Sequence, residues 1–115
     1  MPARLRQADP AEVAAALAAE PGPGPRRLLT KHFMAVLAER APGASVEVRV
    51  PPYAAVQVIP GVRHTRGTPP AVVELDADTW IALATGELTW IEAEQSGRVR
   101  ASGERADLSP YLPLG

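Results

Sequence analysis

The residues best equipped for chemistry sit together in RHTRGTPP, Arg63 to Pro70. Each of its two guanidiniums can offer a fork of donors to a carboxylate or phosphate. An imidazole beside them would change charge near pH 6.5. Gly67 suits a turn, and the paired prolines bar a central ladder, so the stretch reads as a loop at one end of a sheet. Two readings stand for it. It is a solvated hairpin tip, or it is an anion-binding rim in which Arg63, His64 and Arg66 meet a charged head group at a pocket mouth.

Elsewhere the inventory is thin. His32 and His64 are far apart in sequence, and neither has a second histidine three or four residues on, so zinc-type spacing is absent. His32 reads as a half-covered residue at the border of a helix face. Ser45, Ser96, Ser102 and Ser109 lie outside any GxSxG motif. Glu92 and Glu94 are two apart and would diverge on a helix. No glycine-rich phosphate loop or dinucleotide fingerprint is present. These absences give no catalytic residue, no cofactor and no metal, and the chain reads as a non-enzyme.

The totals narrow the class further. A chain of 115 residues fits one domain, and 46% hydrophobic residues promise a packed core. Net charge is −1 with both signs interspersed, which speaks against nucleic acid as a partner. There are no cysteines, so disulfides and thiolate chemistry fall away together. Without an apolar leader or a run of about 20 apolar residues, the expectation is a cytoplasmic protein with no membrane span. Lys31 is the single lysine against eleven arginines. With abundant alanine, glycine and proline, that ratio suggests GC-rich coding, as in actinobacteria.

The elements that must position these residues can be read from period and caps. Asp9 and Pro10 start a first helix with Val13 and Leu17 on its apolar stripe. PGPGP, Pro21 to Pro25, breaks it. RRLLTKHFMAVLAER then forms a longer helix whose Leu29, Phe33, Val36 and Leu37 share a face. From Val46 the period changes to two. VEVRV, AAVQVI, AVVEL and GRVRAS each read as a strand with one apolar and one polar face. Helices on one side and water on the other suit such a sheet, which is expected to be antiparallel. Between the last two strands, Asp76 caps a helix that Gly86 stops, and Thr89 caps a second that Gly97 stops. The tail RADLSPYLPLG, with two late prolines, reads as a docked extended segment. Residues 1–115 are taken as one domain, with two N-terminal helices over 10–41 and a sheet and helical pair over 46–115.

Four of the five aromatics are Phe33, Tyr53, Trp80 and Trp90. They read either as simple core or as part of an incompletely covered groove lined by Phe33, Leu37, Trp80, Leu83, Leu88 and Trp90.

The stretch VVELDADTWIALATGELTWIEAEQSGRVRASGERADL resembles the sterol carrier protein-2 superfamily. The resemblance rests on an acidic helix start, an LxTG stop, a short alanine-bearing helix and a glycine-spaced strand. Here these are Asp76, Asp78, Trp80, Leu83, Thr85, Gly86, Ala93, Gly97 and Gly103. RHTRGTPP and the RADLSPYLPL tail are similar to the compact bacterial, actinobacterial form of the domain. The resemblance implies an α/β sandwich with a mainly antiparallel five-stranded sheet and helices on one face. It implies non-enzymatic binding of a lipid or other apolar or acyl-chain ligand between sheet and helices. The alternative is a filled-core interaction or accessory domain with a protein partner, self-association included.

Overall fold

The computed structural model describes residues 5–61, 71–103 and 106–115. Arg63, His64 and Arg66 lie outside the described residues.

The first helix, α1 (Pro10–Ala18), starts where Asp9 accepts a hydrogen bond from the Ala11 N–H at 2.8 Å. Its apolar stripe is narrow: Val13 and Ala16 meet the core, while Leu17 stays 50% exposed. Helix α2 (Pro23–Arg40) begins inside PGPGP rather than after it. Both Pro23 and Pro25 lie in the first turn, where the missing N–H would have had no helical partner anyway. The α2 residues Leu29, Phe33, Val36 and Leu37 are all buried, as their spacing predicts. Thr30, Met34 and Ala35 are buried too, and α3 packs on this helix, with Asp78 meeting Arg26 and Trp80 bonded to the Thr30 carbonyl.

The strands are β1 (Val46–Val50), β2 (Ala54–Val58), β3 (Ala71–Leu75) and β4 (Val99–Ser102). They make one sheet in the order β2-β1-β3-β4. Alternation decides its faces. Val46, Val48, Val50, Val58, Ala71, Val73 and Leu75 are buried, and Arg49, Gln57 and Arg100 are exposed on the other side. Arg49 pairs with Glu47 along its own strand rather than across the ladder.

One expectation about the sheet is corrected. The sheet has four strands among the described residues, not five. The tail cannot supply the fifth, because Pro110 and Pro113 lack the N–H a ladder needs. It makes a 3-10 turn over Ser109–Tyr111 and then bonds to a helix end, with the Leu114 N–H donating to the Ala84 carbonyl at 2.8 Å. The sheet is mainly antiparallel, as expected, with one parallel pairing. Its outer pairs are antiparallel, but β1 and β3 run parallel in its centre.

Just past the end of β2, Ile59 has φ +72, a left-handed conformation that is costly for a β-branched side chain. The surroundings hold it there. The Ile59 N–H donates to Ala41, and the Ile59 carbonyl accepts from both the backbone and the hydroxyl of Ser45. Gly43 makes room, since a Cβ there would lie 2.2 Å from the Ile59 oxygen.

Helices α3 (Ala77–Thr85) and α4 (Trp90–Gln95) complete the layer over the sheet. Between layers the space is occupied. Met34, Leu37 and Trp80 belong to one buried cluster with Val48 and Val73. The Trp80 indole N–H donates to the Thr30 carbonyl at 3.2 Å.

Candidate functional site

The most apolar opening lies where the α3–α4 pair meets the C-terminal segment. Asp76 accepts from the backbone and the hydroxyl of Thr79, fixing the start of α3. Burial alone would raise the Asp76 carboxyl, but those bonds and others from nearby backbone N–H groups pull it below its ordinary range. At the other end, Gly86 takes φ +86 and turns the chain. Thr89 and Glu92 then form a reciprocal capping box that starts α4. The result is a bent pair with its apolar side turned toward the tail.

The tail spans that bend between two anchors. Leu108 and Leu114 are both buried in the core cluster. Between them the chain arches over Gly86, where an added Cβ would sit 3.5 Å from the Pro113 ring. Beneath the arch is a cleft of about 270 Å³. Leu83, Leu88 and Trp90 form its floor, Ile91 one wall, and Leu112 and Pro113 its roof. Thr89 and Ser109 are its polar lining residues.

Carboxylates are bonded to both polar lining residues. The Glu92 carboxylate accepts from the Thr89 N–H at 3.0 Å and the Thr89 hydroxyl at 2.8 Å, which holds it below the usual carboxylate range. Asp107 accepts from the Ser109 N–H at 2.9 Å. Glu87 is exposed between two lining residues, Gly86 and Leu88.

A second opening of about 310 Å³ separates α1 from α2 and the end of the chain. Phe33, Val13 and Leu17 give it apolar walls, and His32, Glu39 and Arg40 give it a charged border. It is partly spanned by Gln7, whose amide donates to Glu39 at 2.6 Å. The His32 Nδ1 accepts from the Ala8 N–H at 2.9 Å, and burial lowers the imidazole pKa.

The six residues of the expected groove are therefore divided. Leu83, Leu88 and Trp90 come together in the cleft under the tail. Phe33 faces the α1–α2 opening. Leu37 and Trp80 are wholly buried in the core and line neither opening. Sequence reasoning missed the roof, Leu112 and Pro113, and the wall residue Ile91. The signal for the roof was YLPL, whose proline bars a regular helix or ladder while its leucines need burial.

Among the described residues no group of three histidine or carboxylate side chains is placed to hold a metal ion. Nor is any described helix long and apolar enough to cross a membrane. A family model described as bacterial SCP ortholog matches residues 26–114. That span contains every residue of the cleft under the tail and omits α1. No curated protein matches the chain.

Proposed function

This chain belongs to the bacterial SCP ortholog family of sterol-carrier-like domains, and from that premise we propose that it is a non-enzymatic binder of a single apolar or acyl chain. The chain lies in the cleft between the α3–α4 pair and the C-terminal segment, rather than between sheet and helices. The observation that carries this reading is the apolar floor of Leu83, Leu88 and Trp90 under a roof of Leu112 and Pro113. The sheet–helix space is filled by side chains such as Met34 and Trp80, both fully buried.

Size limits the ligand. At about 30 Å³ per water-sized group, the cleft holds roughly nine such groups. Eight methylenes at about 0.8 kcal/mol each give about 6 kcal/mol. That corresponds to a dissociation constant in the tens of micromolar before ordering costs, which weaken it further. Octan-1-ol is thus a fitting probe, and Trp90 in the floor is a fluorescent reporter. Titration should give a saturable change that Leu112→Glu weakens at least tenfold, because a carboxylate in the roof must be desolvated. A change that never saturates, or one that Leu112→Glu leaves intact, would refute the site.

One observation favours the second reading, a filled-core interaction domain. Ile91 is 63% exposed at the rim of the same cleft, in a protein whose main core is closed. Sedimentation at micromolar concentration would show concentration-dependent mass on that reading and a constant monomer mass on the first.

A further inference from the structure

The N-terminal segment, residues 5–18, is held differently from the rest of the helical layer. None of its side chains is buried, and only Leu5, Val13 and Ala16 pack against the core cluster. It lies along α2 at the opening of about 310 Å³, whose far wall carries Phe33 and Val36. Among the described residues, two hydrogen bonds tie it to the rest: the Gln7 amide to Glu39, and the Ala8 N–H to the His32 Nδ1. Ala8 directly precedes the cap residue Asp9, so the second tie fixes where α1 begins. The family match starts at residue 26, inside α2, and the segment lies outside the matched domain.

Only a neutral ring can make the second tie. Protonation would put an N–H on Nδ1, facing the Ala8 donor, and set a cation against the positive end of α1. The charged side chains of the elements around the ring are Arg6, Asp9 and Glu12 on the segment and Lys31, Glu39 and Arg40 on α2; the tail brings Leu114 and Gly115. All six are exposed, with Asp9 engaged by the Ala11 N–H and Glu39 by Gln7. None of the three carboxylates bonds the ring, and burial sets His32 below its ordinary range.

We propose that residues 5–18 form an acid-released strap: protonation of His32 lets the segment lift from α2 while the rest of the fold stays closed, baring Phe33 and Val36. The sign follows from the bond. The hold is fully present above about pH 6.5 and is lost as pH falls through the lower folded pKa of His32. The cleft under the tail takes no part, so the strap goes beyond the ligand reading and does not depend on it.

Native-state hydrogen exchange at pH 7.5 and pH 5, corrected for intrinsic rates, tests the strap. Amides 13–18 should be far less protected than Val48. Their protection should barely respond to sub-denaturing urea, because lifting the strap exposes little surface. From pH 7.5 to pH 5 it should fall severalfold, up to about thirtyfold, the limit for an imidazole that stays neutral when strapped and has a pKa of about 6.5 when free. His32→Gln keeps a side-chain acceptor that does not titrate, so its strap protection should be equal at both pH values. Gln7→Ala removes the other tie and should lower protection at both while keeping the pH response. Amides 13–18 that match Val48 in protection and urea dependence would show that the segment opens only with the whole fold, and would overturn the proposal. So would a fall between pH 7.5 and pH 5 that His32→Gln retains in full.

Discussion

Thr30 is the one described side chain whose buried oxygen finds no partner: its hydroxyl is fully enclosed beside Trp80, which uses the Thr30 carbonyl instead. A lone buried hydroxyl keeps a desolvation cost of about 1–3 kcal/mol. Thr30→Val replaces it with a methyl of the same shape. The variant should be more stable by about 1 kcal/mol, read as a higher urea midpoint at constant slope. A less stable variant would mean the hydroxyl has a partner in solution. His32 gives the opposite kind of sensitivity. Its neutral ring accepts from the Ala8 N–H, and its folded pKa lies below the unfolded value. The resulting stability is fully present above about pH 6.5 and is lost as pH falls through the lower folded pKa. Between pH 7.5 and 5, the parent should therefore lose more stability than His32→Gln, and parallel losses would count against this role. The sequence placed His32 at a helix-face border, where it is half-buried. It could not show that the ring meets a backbone N–H from 24 residues earlier.

At the scale of elements, caps and periods were legible and partners were not. Asp9, Asp76 and Thr89 cap the three helices expected of them, and Gly86 ends α3. Each of these signals is local, completed within a few residues. The start of α2 was misplaced because prolines read as breakers unless they fall in a first turn. In β4 the period was right but the burial was not. Val99 is half-buried, while Ala101, on the same face as its partner Val73, is exposed at the sheet's edge. The tail is the element with the most to lose. Leu114 is buried, and the Leu114 and Gly115 N–H groups both donate to the Ala84 carbonyl at the end of α3. Leu114→Ala should cost about 3 kcal/mol in urea unfolding. It should also speed hydrogen exchange at residue 114 more than at Val48 in the sheet centre. A cost below about 1 kcal/mol would show that the segment is laid on the surface rather than anchored.

For the whole molecule, the layered architecture could be read from the change of period at Val46, since one apolar face on each strand requires one covering layer. Strand order could not. The residues of VEVRV are equally suited to either neighbour, and β1 takes an antiparallel partner on one side and a parallel one on the other. The six groove residues share a chemical type, yet the fold divides them by distance among a closed core and two separate surface openings described above. The roof of the candidate site carries a consequence for what can leave it. Held at Leu108 and Leu114, the arch over Gly86 can bow but cannot swing aside as a free flap would. On the proposed reading a guest slides along the groove. Such a passage would gauge cross-section more than length: a linear chain would thread it and overhang into water, and a fused-ring guest should bind more weakly than a linear one of equal carbon number.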